Sequence, residues 1–253
     1  MLSLGANVLI LVVTVGVALL FSAVLNRVWP CEKRHIQNDL IGWQLSVLGT
    51  TYAVILGFML YTVWTNFGAA DLNADLEASA LRNIYRLADG LPSPQREQMR
   101  METRAYANAV IDFDWPQMAQ GKLPEASHGL NENMWKILMT VKSSQPAEIL
   151  AEDHALYELS DLTVNRRTRF IQSSYTLPVI FWGVLLIGGV LVLISVALFG
   201  SANPKIHMLQ VTSVTLLLTL AMLAISDVNQ PFRGWVHVSD YGFVRARQTL
   251  NDQ

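Results

Sequence analysis

The chain has 253 residues, of which 52% are apolar and 15% charged, with a formal net charge of −2. That balance is a membrane composition, and it offers no basic face for nucleic acid. The single cysteine, Cys31, excludes an internal disulfide framework and any cysteine-rich metal site.

Four apolar stretches dominate the chain, at Leu4–Leu25, Ile41–Phe67, Leu177–Phe199 and Met208–Ile225, and none contains Asp, Glu, Lys or Arg. Each approaches or exceeds the roughly 18–20 residues a helix needs to cross a bilayer core. Within hydrocarbon only a helix satisfies its own backbone, so all four are read as membrane helices. The first lacks the positive n-region of a secretory signal, and a bulky Trp29 and Pro30 before Cys31 argue against lipoprotein cleavage. The expected fold is all-α: a four-span bundle with a helical extramembrane domain inserted between spans two and three. The expected divisions are residues 1–70 for the first two spans, 71–176 for the domain, 177–226 for the last two spans and 227–253 for a short tail.

An even number of spans places both termini and the domain on one side. The loops Asn26–Leu40 and Gly200–His207 share the other. More arginines flank the domain side (Arg82, Arg86, Arg166, Arg167, Arg169, Arg233, Arg245, Arg247) than the loop side (Arg27, Lys33, Arg34, Lys205). The positive-inside rule therefore puts the domain in the cytoplasm.

Span two should continue into Asp71–Ala88, with Leu72, Leu76, Ile84 and Leu87 as its apolar face, and end at Gly90. Ser93 and Pro94 start the next helix as N-cap and first helical residue. Met99, Tyr106, Val110 and Phe113 should share one side of it, and Trp115-Pro116 should break it. A short helix is expected over Asn131–Val141. From Ala147 a helix should run into the third span, kinked at Pro178, with Leu150, Tyr157 and Val164 at seven-residue spacing.

Span two carries the most informative face. Gln44, Thr51, Ile55, Phe58, Thr62 and Asn66 lie on roughly one side, with polar ends and large apolar side chains between. That pattern suits a wetted path with an apolar constriction. Ordinary packing, in which Thr and Asn bond between membrane helices, is the commoner reason for such a face. Glu77, Arg82 and Arg86 follow on the stalk, either as a pore mouth that selects ions or as a solvated, paired face. Arg166, Arg167 and Arg169 are an anion or headgroup cluster, or a plain topology signal. Asp227, Pro231, Phe232, Arg233 and Gly234 form either a charged lip or a structural turn back onto the domain. No metal set, cofactor motif, nucleophile elbow or catalytic constellation is present. An enzyme is therefore not expected, and a proton-coupled transporter would want ionisable groups inside a span.

The combined pattern resembles the bestrophin-like family of bacterial membrane proteins. The resemblance lies in Leu56-Gly57-Phe58 with Trp64, in Glu77-Ala78-Ser79-Ala80-Leu81 through Tyr85-Arg86 and Leu91-Pro92, and in Asp227 with Pro231-Phe232-Arg233-Gly234. It implies a bacterial inner-membrane protein forming a homo-oligomer, pentameric by analogy. That oligomer would pass inorganic anions, with span two lining the pore through a bulky apolar neck. Ile55, Phe58 and Thr62 occupy the comparable place. The tail has no acidic run resembling the bestrophin calcium clasp, which argues against calcium gating. The competing reading is a membrane-anchored interaction or signalling protein whose helical domain docks a partner.

Overall fold

The computed structural model describes residues 4–252. Among them every regular element is helical: α1 (Leu4–Val28), α2 (Cys31–Arg34), α3 (Asn38–Leu87), α4 (Ser93–Ala109), α5 (Trp115–Ala119), α6 (His128–Leu138), α7 (Pro146–Ser174), α8 (Val179–Leu198), α9 (Pro204–Val228) and α10 (Tyr241–Asn251). Four of these helices are long and apolar enough to cross a bilayer: α1, α3, α8 and α9. The chain divides into two compact units, Met1–Trp64 with Thr176–Asn229, and Thr65–Tyr175 with Gln230–Gln253. The residues after Gln230 thus belong to the same unit as the inserted domain.

In the first unit, helices meet through small residues and buried polar pairs, the usual means where lipid supplies no hydrophobic drive. Thr14 of α1 and Thr219 of α9 share a 3.2 Å hydrogen bond. The Tyr52 ring of α3 lies against Gly188 and Gly189 of α8, where a side chain at Gly188 would come within 2.6 Å of the ring. Its hydroxyl donates to the Leu185 carbonyl at 2.8 Å. The two loops are also fastened. Asn38 donates to the Gly200 carbonyl at 2.9 Å and accepts from the Gly200 N–H at 2.8 Å. Gly200 is required there, because a Cβ would sit 2.2 Å from the His35 nitrogen.

The second unit is built around one apolar core that includes Ala70, Ala74, Ala78, Leu81, Ile84 and Tyr85 of α3. This differs from the leucine face the sequence suggests. Leu72 and Leu76 point outward, at 61% and 49% exposed, and alanines turn inward. Small side chains let α3 approach its neighbours closely, and the leucines fall on the far side of that stripe. Ser93 is the first residue of α4 and Pro92 its cap, with no side-chain cap bond, one position earlier than expected.

The helix after Ala109 corrects the sequence reading most clearly. Val110–Asp114 form a wide π-turn, in which the Trp115 N–H reaches back five residues to the Val110 carbonyl. The extra residue rotates everything downstream by about 100°. Phe113 is therefore turned out, while Asp114, Trp115 and Met118 are turned in. Pro116 does not break the chain of turns. It has no N–H to offer, and the widened turn leaves room for its ring within α5. The expected continuous α7–α8 helix also divides: Tyr175–Pro178 are non-helical, Tyr175 is extended at ψ 132°, and α8 starts beyond Pro178. Pro178 pushes the residue before it away from helical angles.

Candidate functional site

Within α3 the positions proposed for a pore are unevenly placed. Tyr52 and Val63 are buried and define the side that packs. Thr51 and Phe58 are exposed, Phe58 at 64%, whereas Ile55, Thr62 and Asn66 are half-buried flanks of the packed side. The Thr62 hydroxyl donates to the Phe58 carbonyl at 2.8 Å, four residues back. Val54 and Tyr61 share the exposed side with Phe58.

Glu77 departs from the stalk pair it was grouped with. Nine residues separate it from Arg86, two and a half helical turns, so the two lie on opposite faces. Arg86 is exposed and Arg82 half-buried, whereas Glu77 is fully buried. Its carboxylate receives Arg169 of α7 in a two-pronged contact, Nε to Oε2 at 2.7 Å and Nη2 to Oε1 at 2.9 Å. Tyr106 of α4 donates its hydroxyl to the same Oε1 at 2.6 Å. The second carboxylate, Asp114, is delivered by the π-turn and accepts from Arg169 Nη2 at 3.2 Å. Asp114 also accepts from Ser127 Oγ at 2.6 Å and from the Ala126 N–H at 3.0 Å. The Arg169 guanidinium carbon lies 5.6 Å from the Trp115 ring centre and 5.9 Å from that of Phe243.

One cation thus sits between two carboxylates in a dry core, with its planar face covered by aromatic rings. Burial works against the Arg169 charge, but Glu77 and its hydrogen bonds, with Tyr106 and Asp114, hold the guanidinium more firmly protonated than usual. Burial, followed by the Glu77 charge, raises the Tyr106 hydroxyl well above its ordinary range, so it remains a donor. Arg169 is therefore committed to the interior and unavailable to lipid headgroups. Of its sequence neighbours, Arg167 is exposed and Arg166 donates to Ser127 Oγ at 3.1 Å.

Pro231 to Gly234 make a turn locked to the same core. The Val238 N–H donates to the Pro231 carbonyl at 2.8 Å, and Phe232 meets Trp115 edge-on at 5.6 Å. The Arg233 guanidinium occupies the space a side chain at Gly121 would fill, and donates to the Met118 carbonyl at 3.3 Å. Gly121 and Gly234 both have positive φ, 75° and 101°, which favours glycine at each. Asp227 lies near the end of α9, half-buried, in the other unit. Asp114 escaped the sequence reading, which gave Tyr106 only as one of the residues sharing a side of α4. The available signal was Glu77 itself, a lone carboxylate in register with the inward Ala70–Ala74–Ala78–Leu81 stripe.

Residues 12–243 match the profile of the bestrophin-like domain, which spans nearly the whole chain. The chain belongs to the bestrophin-like family. Solved structures agree at the level of fold. A bacterial bestrophin homologue from Klebsiella pneumoniae superposes with a TM-score of 0.67 at 12% identity, covering 96% of this chain and 98% of that one. A differently mutated form of a Klebsiella pneumoniae homologue gives 0.65 at 14% identity, over 98% and 97%. A structure described as a membrane protein gives 0.64 at 13%, over 94% and 97%. No curated protein matches the sequence. With its four apolar helices, this bestrophin-like chain is an integral membrane protein.

Proposed function

We propose that the chain is one subunit of an oligomeric membrane channel that passes anions along a path lined by α3. The observation carrying this reading is the match of residues 12–243 to the bestrophin-like domain, joined to the exposure of Phe58 on α3. In a ring of subunits, Phe58 and its exposed neighbours would form the narrow apolar neck, with Thr51 beyond it. Ile55, Thr62 and Asn66 would border the neck. Conduction is passive, and wetting of the neck sets the gate.

Charge on the cytoplasmic stalk supports the choice of ion. Glu77 is spent on Arg169, and Asp75 lies against the first turn of α10, where a side chain at Gly242 would fall 2.4 Å from its Oδ1. On the stalk part of α3 this leaves Arg82 and Arg86 against Asp71. Chloride, potassium and sodium flux from liposomes tests the reading. Charge-removing changes at Arg82 and Arg86 should weaken the preference for chloride.

The alternative, a membrane-anchored docking protein without transport, is favoured by one observation: α7 leaves Leu150, Tyr157 and Val164 exposed at seven-residue spacing. In the channel reading the adjoining subunit covers this stripe. Stable capture of a different protein through it, with no ion flux, would favour the alternative.

A further inference from the structure

The second unit holds a cavity of about 340 Å³ between the stalk part of α3 and α10. Asp75, Ser79 and Arg82 line one wall, and Tyr241, Gly242 and Arg245 the other. The α3 residues recur at four and three positions, which brings carboxylate, hydroxyl and guanidinium onto one face. On α10 the Arg245 guanidinium carbon sits 5.6 Å from the centre of the Tyr241 ring one turn earlier, so the aromatic face orients the cation.

The charges in this cavity do not cancel within it. Asp75 faces the first turn of α10, where the helix dipole already attracts a carboxylate. Among the described residues, neither arginine has a carboxylate within ion-pair distance. By contrast Arg247, on the same short helix, reaches Asp112 at 3.5 Å. Two guanidiniums from separate elements, with a hydroxyl lining the same cavity, match a tetrahedral oxyanion, whose several oxygens take donors from different directions. A spherical halide cannot use that arrangement as fully.

We infer that the cavity between α3 and α10 binds a phosphate group through Arg82, Arg245 and Ser79. A free inorganic phosphate and a phosphomonoester lipid headgroup share this chemistry. The site does not depend on conduction: it stands in the second unit whether or not the protein passes ions.

Calorimetric titration of the purified full-length protein in neutral detergent with inorganic phosphate, at fixed ionic strength set by chloride, tests the assignment. Saturable binding at one site per chain is expected, displaced by sulfate and not by chloride. Arg82→Gln and Arg245→Gln should each weaken it by about tenfold or more. Arg247→Gln, which faces Asp112 instead, should leave it unchanged. Reconstitution in phosphatidylcholine vesicles with and without phosphatidic acid separates the two sources. Loss of phosphate binding only in phosphatidic acid vesicles identifies a lipid headgroup, and retention in both identifies the free ion. Absence of saturable heat from wild-type protein would overturn the proposal, as would equal binding by wild type and both arginine variants. Sulfate competition on the wild type keeps the test decisive if a variant fails to fold.

Discussion

Removing Arg169 leaves Glu77 and Asp114 buried with no cation between them, and neither can reach water. Breaking one side of a buried pair costs about 3–5 kcal/mol, so Arg169→Met should lower the unfolding midpoint of the domain sharply. Combining it with Glu77→Leu and Asp114→Leu should recover much of that loss, because the stranded charges go with it. Tyr106 gives a pH signature. Its hydroxyl loses its proton less readily in the folded protein than in the unfolded chain, so the stability it contributes is fully present below about pH 10. As pH rises further, the unfolded state ionises and that stability is lost. Wild type should therefore lose up to about 1.4 kcal/mol per pH unit more than Tyr106→Phe in this range, measured by chemical unfolding. These partners were hard to read from sequence because Glu77 and Arg169 are 92 positions apart. No local spacing joins them.

The π-turn decides whether this cluster exists at all. Inserting one alanine after Ile111 would add a second extra residue to the turn, advance the register by about a further 100° and swing Asp114 and Trp115 away from Arg169. The expected result is a large drop in domain stability, seen as an early thermal transition, while Phe113→Ala on the exposed side should change little. Sequence patterning reads an uninterrupted helix here, since Met99, Tyr106, Val110 and Phe113 keep ideal spacing. It cannot show a turn that inserts one extra residue. The inner face of α3 was hidden for a different reason. Hydrophobic patterning favours Leu72 and Leu76, but close approach between helices favours alanine, and close approach prevailed. Gly188 expresses the same rule in the first unit. Gly188→Val would drive a side chain into the Tyr52 ring and should destabilise the pairing of α3 with α8 by more than the same change at Gly183, which meets nothing within 4 Å.

For the molecule as a whole, the membrane helices were plainly legible, because length and absence of charge are enough to define a span. The resemblance carried by Leu56-Gly57-Phe58 and the Pro231–Gly234 motif led to the bestrophin-like family. In the structure, Pro231–Gly234 form a structural turn, and Phe58 is one of several large apolar side chains exposed on α3. The central claim is therefore that Phe58 narrows a conducting path built from several copies of α3. It is tested most directly by ion flux through purified protein in liposomes under chloride, potassium and sodium gradients, with Phe58→Ala measured beside wild type. The account predicts chloride-selective flux that increases in Phe58→Ala. Absence of flux from both proteins, each shown to be folded and oligomeric, would contradict it.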